Sequence, residues 1–246
     1  MPPWHWWRTV FYLIPAITLY TVVLGLASLL STLVDRRGHA ADRCARLWSR
    51  WILQTTGVRV RVQGEPLSPD ARSCVFVCNH QSTYDIPVVF ATLPARLRIL
   101  AKASLGHVPF LGWHLRRSGH VLVDRSNPGP SVMGKMEDLV RDGASLIVFP
   151  EGTRSADGQV GRFKAGAFVT AVDHHLPLVP ITIDGIRAVM PKGRLMTCPG
   201  EVTLTVHPAI STDGLTRDDV RALMTQVHDT MRVHGSSVHG SAVREP

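Results

Sequence analysis

From Thr9 to Val34 the chain holds no charged residue. As a helix rising 1.5 Å per residue, this run covers about 39 Å, more than the hydrocarbon core of a bilayer. Trp4, Trp6 and Trp7 precede it, where interface-anchoring aromatics sit, and Arg36 and Arg37 follow it. The positive-inside rule puts its C-terminal end on the cytoplasmic side. A cleaved signal peptide fits less well, because the run is long and only Arg8 charges the region before it. Pro15 and several Thr and Ser residues suit either a spanning or a single-leaflet segment. Cys44, Leu47, Trp48, Trp51 and Ile52 then recur at helical spacing, with Arg43, Arg46 and Arg50 on another face. Two readings stand. One is a basic amphipathic helix in the membrane interface; the other is a helix packed on a globular core with its arginines in water. Gly57 gives the helix stop.

From Val58 the period changes. Val58, Val60 and Val62 alternate with Arg59 and Arg61, which predicts a strand. Cys74–Cys78 and Leu146–Phe149 are short continuous apolar runs, as buried strands are. Further strands are expected at Arg98–Lys102, His120–Val123, Leu178–Ile183 and Val202–His207. Helices are expected over Pro130–Arg141, Gly161–His175 and Thr216–Val233, the last with Asp218 and Asp219 in its first turn. Alternating strands and helices give an α/β fold, a mixed sheet flanked by helices, with an N-terminal two-helix membrane-associated element. The division is 1–57 for the membrane-anchoring helices, 58–234 for the globular domain and 235–246 for a flexible Gly/Ser-rich tail.

Composition narrows the classes. In 246 residues, 45% are hydrophobic and 19% charged, which excludes a disordered chain. A mean hydropathy of +0.08 excludes a polytopic membrane protein. The net charge is +8, and residues 1–60 hold seven Arg against two Asp. Positive charge beside the most apolar segment points to a membrane surface rather than nucleic acid, for which no binding signature is present. Cys44, Cys74, Cys78 and Cys198 form no CxxC pair, and no His/Cys cluster has metal-ligand spacing. The chemistry is expected to face a reducing cytosol.

Apolar strands run into polar clusters three times: at Asn79–Asp85, at Asp124-Arg125-Ser126 and at Pro150–Ser155. Ligands bind beyond the carboxyl ends of strands in open α/β sheets, so the three suggest one site. His80 and Asp85 are five residues apart, about 140° on a regular helix, so they meet only across a turn. There the carboxylate would fix the imidazole tautomer and leave the other nitrogen to take a proton. Glu151-Gly-Thr-Arg154 offers close backbone approach, a hydroxyl and a guanidinium suited to phosphate. Arg125 and Lys102 would add cations to such an anion pocket. No Gly-x-Ser-x-Gly elbow is present, which argues against a hydrolase.

These residues carry a resemblance. Asn79-His-x4-Asp85, Gly119-His-Val-Leu-Val-Asp124-Arg125, Phe149-Pro-Glu-Gly-Thr-Arg-Ser155 and Val179-Pro-Ile-Thr-Ile183 resemble, in order, the four motifs of the glycerophospholipid acyltransferase family. Lys102–Trp113 is similar to a further segment of that family. Two departures stand out. Leu146–Val148 lacks the Lys often found before the third motif, and His120 stands where an apolar residue is usual. The resemblance implies that 58–234 is a catalytic domain, with His80 the general base and Asp85 orienting it. The acceptor hydroxyl then attacks an acyl thioester directly. Lys102, Arg125, Glu151, Gly152, Thr153 and Arg154 would hold the acceptor's phosphate, and Val179 and Pro180 would line the acyl or acceptor pocket. No metal and no cofactor are implied. The donor is acyl-CoA or acyl carrier protein, and the acceptor lysophosphatidic acid at a cytoplasmic membrane. A different lysolipid such as a lyso-ornithine lipid, or a non-enzymatic module binding anionic lipid, are the alternatives.

Overall fold

The computed structural model describes residues 3–35, 38–67, 73–124, 134–136, 138–139 and 142–237. The first helix, α1 (Trp4–Ser31), is long and apolar enough to cross a membrane. It is π-helical over Thr9–Leu13. The second, α2 (His39–Thr56), ends at Gly57, whose φ of +78° is the left-handed conformation that glycine adopts without strain. There follow β1 (Val58–Gly64), β2 (Val75–Cys78), α3 (Asp85–Thr92), β3 (Leu97–Lys102), a 3-10 turn (Ala103–His107) and α4 (Leu111–Arg117). The chain continues through β4 (Val121–Val123), β5 (Ser145–Val148), α5 (Gly166–Asp173), β6 (Leu178–Asp184), α6 (Ile186–Val189), β7 (Gly200–Val206) and α7 (Val220–Ser237).

The seven strands form one sheet in the order β1-β7-β6-β2-β5-β3-β4. All neighbours pair in parallel except β6 and β7. The sheet is therefore mixed, as expected. Its centre, β2 and β5, is buried at every residue, which is why those segments read as continuous apolar runs. One core, with Phe76, Ile147 and Ile181, lies under α2 and α3. The other, with Val77, Leu146 and Phe168, lies under α5 and α7. At the outer edge, β1 exposes Arg59 and the second half of the strand. Charge on an unpaired edge opposes strand addition.

Where the expectations covered described residues, two helices differ. The helix expected over Gly161–His175 begins at Gly166. Before it, the N–H of Gly161 is taken by Glu151 Oε2 and that of Lys164 by the Pro150 carbonyl, so those residues serve a loop. The helix expected to end at Val233 continues to Ser237, past the start of the expected tail at Gly235. Most of the Pro130–Arg141 helix lies outside the described residues; 134–136 and 138–139 are helical. Helix α4 was not expected, because it is short and Gly112 interrupts its pattern.

Helix α1 is docked lengthwise on the domain. The Arg8 guanidinium donates to the Thr55 and Thr56 carbonyls, both at 3.0 Å. Trp48 Nε1 donates to Thr21 Oγ1 at 3.0 Å, and Ser28 Oγ meets His114 Nδ1 at 2.6 Å. Its other face presents Trp4, Trp7, Phe11, Leu19, Val23, Leu26 and Leu30. An apolar stripe of that length on a surface is a membrane-association surface.

Helix α2 packs one face on the domain. Ala41, Ser49, Ile52, Leu53 and Thr56 form its buried face, and Leu47 is exposed. Arg46 bridges to the Leu93 carbonyl and, at 2.5 Å, to the Ala95 carbonyl just past α3. Asp42 pairs with the buried Arg98 at 2.6 Å and with Arg96 at 3.2 Å, tying α2 to the start of β3.

Candidate active site

Five parallel strands end on the same edge of the sheet, and the first and third motifs read from the sequence follow β2 and β5. The turn after β2 solves the spacing of His80 and Asp85. Asp85 opens α3 and is fully buried. Its Oδ2 accepts from the N–H groups of Gln81 at 2.8 Å and Ser82 at 3.0 Å, and lies 2.7 Å from His80 Nδ1. A carboxylate can only accept, so Nδ1 carries the proton and Nε2 is the basic nitrogen. The imidazole is held against the Phe149 ring, centroids 4.4 Å apart. Asn79 fixes the turn to the neighbouring strand through both of its amide atoms, donating to the Ile183 carbonyl at 3.0 Å and accepting from its N–H at 2.8 Å.

The loop after β5 wraps the same turn. The Ser155 N–H donates to the His80 carbonyl at 2.7 Å. The Glu151 side chain is tied to the backbone. Its carboxylate accepts from the His80 N–H at 2.8 Å and the Gly161 N–H at 3.0 Å. Burial raises its pKa above the ordinary glutamate value, against those two hydrogen bonds. Glu151 thus ties the turn after β2 to the loop after β5. Gly152 has φ +71°, and a β-carbon there would stand 3.0 Å from Lys164 Cε. Thr153 is exposed, and Arg154 Nη1 donates to Thr83 Oγ1 at 2.8 Å. Lys192 Nζ donates to the Arg154 carbonyl at 2.6 Å and lies 3.4 Å from Thr153 Oγ1.

Thr83 lies in the expected Asn79–Asp85 cluster, whereas Lys164 and Lys192 were not among the expected site residues. Lys164 and Lys192 gave no signal, since each reaches the loop only through the fold. Among the described residues Arg154, Lys164 and Lys192 pair with no carboxylate. Their charge is therefore open to an anion. Lys102 is exposed at the end of β3, two strands from β2, on the same edge. Arg125 lies outside the described residues. Val179 and Pro180 are paired with Phe76 and Val77 in the first half of β6 and are buried there. They pack within the sheet, ahead of the strand ends that carry the cluster. Apolar walls occur elsewhere: a cavity of about 220 Å³ beside Thr83 and Tyr84 is lined by Leu13 and Ile17 of α1 and by Met190 and Leu195.

Neither buried thiol of the β2 segment competes as nucleophile. Cys78 is wholly buried and its pKa is raised well above the ordinary value, first by burial and then by Asp85, Glu151 and Asp184. Cys74 is pushed up to about 11 by burial. All four cysteines are free.

The arrangement is a base-and-carboxylate pair beside a cationic loop, on an α/β sheet whose first helix bears an apolar outer face. The model of the Acyltransferase family matches residues 59–184. A human 1-acyl-sn-glycerol-3-phosphate acyltransferase alpha is 33% identical over 214 residues, 85% of this chain and 76% of that one. A Chlamydomonas reinhardtii 1-acyl-sn-glycerol-3-phosphate acyltransferase is 37% identical over 149 residues, 59% of this chain. The matched region spans 45% of that algal protein's length. The crystal structure of the 1-acyl-sn-glycerophosphate acyltransferase PlsC from Thermotoga maritima superposes with a TM-score of 0.82 at 27% identity, covering 96% of this chain and 97% of that one. The chain belongs to the acyltransferase family.

Proposed function

We propose that the protein transfers a fatty acyl chain from a thioester to the sn-2 hydroxyl of lysophosphatidic acid, giving phosphatidic acid. The observation that carries this reading is the buried Asp85 carboxylate on His80 Nδ1, 2.7 Å away, beside Arg154, Lys164 and Lys192, which pair with no carboxylate among the described residues. Nε2 takes the proton of the acceptor hydroxyl as its oxygen attacks the thioester carbonyl. Asp85 stabilises the imidazolium that forms. Collapse of the tetrahedral species breaks the C–S bond, and the thiolate leaves with the proton from Nε2. No acyl-enzyme forms. Arg154, Lys192 and Thr153 hold the acceptor's phosphate, with Lys102 at the end of β3 and Arg125 contributing further cations. The apolar cavity beside Thr83 receives acyl chain.

Docking along its length gives α1 a side-on role. The helix lies in one leaflet of the cytoplasmic membrane, because spanning would drag Arg46, Asp42 and Arg98 of the attached domain towards hydrocarbon. The catalytic domain sits on the cytoplasmic side, in keeping with four free cysteines.

The test is acyl transfer from labelled acyl-CoA and from acyl carrier protein to lysophosphatidic acid, with wild type beside His80→Ala. Wild type should form phosphatidic acid, and loss of the base should lower kcat by roughly 10²–10⁴-fold. An equally active His80→Ala protein removes the general base. No product with either donor moves the acceptor to another lysolipid, such as a lyso-ornithine lipid, and failure there leaves a lipid-binding module.

A further inference from the structure

The large apolar side chains exposed outside α1 are not scattered. Besides Leu33 and Val34, which directly follow α1, they are, among the described residues, Leu47, Val62, Leu105, Val108, Trp113 and Leu195. All but Val62 lie on segments that touch α1. Leu47 is on α2. Leu195 is two residues from Thr197, whose N–H donates to Thr9 Oγ1 at 3.0 Å. The other three belong to one stretch, the 3-10 turn and α4, exposed by 39%, 40% and 45%.

That stretch is built onto α1. Phe110 lies so close to Gly25 that a β-carbon on Gly25 would stand 3.0 Å from Phe110 Cβ. The Phe110 ring meets Trp113 edge-on with centroids 5.1 Å apart. Gly106 and Gly112 pack together without room for a side chain on Gly112. At its end, Arg117 Nη2 donates to Thr32 Oγ1 at 3.2 Å, just past the end of α1. From Lys102 to Val123 the chain carries Lys102, Arg116 and Arg117 and no acidic residue. Both arginines are exposed.

We propose that residues 105–117 form a second membrane-contacting element. Leu105, Val108 and Trp113 enter the headgroup–acyl boundary beside α1, and Arg116 and Arg117 bind the phosphates of anionic lipid. The inference rests on reading the outer face of α1 as the membrane-facing one. Continuity with that face and an uncompensated positive charge select a bilayer. An acidic protein partner would be met by the arginines but would leave three apolar side chains in water. The element begins three residues after Lys102, so it brings that edge of the active site to headgroup level.

The test uses the full chain with an environment-sensitive fluorescent amino acid at position 108, on phosphatidylcholine–phosphatidylglycerol vesicles containing brominated lipid. The same probe is placed at Val23 on α1 and at Arg59 on the opposite edge of the sheet. Quenching at 108 and 23 but not at 59 is expected. Quenching at 23 alone overturns the second element and leaves α1 as the anchor. Quenching at neither overturns both, and quenching at 108 alone keeps the element while removing the reading of α1. The double variant Arg116→Gln, Arg117→Gln should bind anionic vesicles about 30-fold more weakly at low salt and neutral vesicles equally well. A double variant that keeps its vesicle affinity but loses activity with acyl carrier protein alone would assign the arginines to that partner instead.

Discussion

At the scale of single residues, Asp85 is the most committed group in the site. One oxygen serves the His80 ring and two backbone N–H groups, so the residue shapes the turn and polarises the base at once. The two roles separate by substitution. Asp85→Asn keeps an acceptor oxygen but loses the charge that supports an imidazolium. We expect kcat to fall by roughly 10²–10⁴-fold with the melting temperature little changed. Asp85→Ala leaves three buried donors without their partner and should also cost about 1–3 kcal/mol of stability. Kinetics and thermal melts on both variants check this; an Asn variant as active as wild type would reduce Asp85 to a turn former. His80 and Asp85 were legible because their residue types are scarce and their spacing suits a turn. Glu151 was legible as a position but not as a role, since nothing local says that its carboxylate points at the N–H groups of His80 and Gly161. Lys192 was illegible: it lies 38 residues from the carbonyl it holds, and only the crossover to β7 brings it there.

At the scale of elements, the strands were legible where burial is two-sided. The runs of β2 and β5 leave no polar face to confuse the period. Helix faces were harder. In α2 the arginines suggested a lipid headgroup face, yet Arg46 points back to cap the end of α3. Helix periodicity locates a stripe but does not say what covers it, and a guanidinium can satisfy backbone carbonyls as readily as phosphate. The two roles predict different failures for Arg46→Met. As a cap, its loss should lower stability by about 2–3 kcal/mol and leave vesicle binding unchanged. As a lipid contact, its loss would weaken binding to anionic vesicles and spare the melting temperature. Denaturant titration paired with vesicle flotation separates them, and the hydrogen bonds to Leu93 and Ala95 favour the first outcome.

At the scale of the whole molecule, the seam between α1 and the sheet domain contains the buried His120 and the half-buried His114. His114 accepts or donates to Ser28 at 2.6 Å, and burial lowers its pKa to about 4, with Arg98 also lowering it and Asp42 opposing. His120 accepts from the Ile99 N–H at 3.1 Å, and its pKa lies well below the ordinary value, first through burial and then through His114 and Arg98. The rings stand 5.7 Å apart, next to an apolar cavity lined by Leu24, Trp48 and Phe90. Both groups are bases held neutral by the fold. Their folded pKa values lie below the unfolded value of about 6.5, so the fold binds fewer protons than the unfolded chain between the two. The stability they contribute is therefore whole above pH 6.5 and is lost as pH falls towards 4 and below. For His114 alone the loss is roughly 3 kcal/mol once pH is under its folded value. Protonation there places a charge beside Ser28 in the α1 seam, so acid should loosen the membrane helix from the domain. The expected result is a denaturation midpoint that drops steadily from pH 7 to pH 4 in wild type. In His114→Gln, which has nothing to protonate at that position, the drop should be shallower. A Gln variant with the wild-type slope would mean that carboxylates elsewhere set the acid limit and that the seam tolerates the charge.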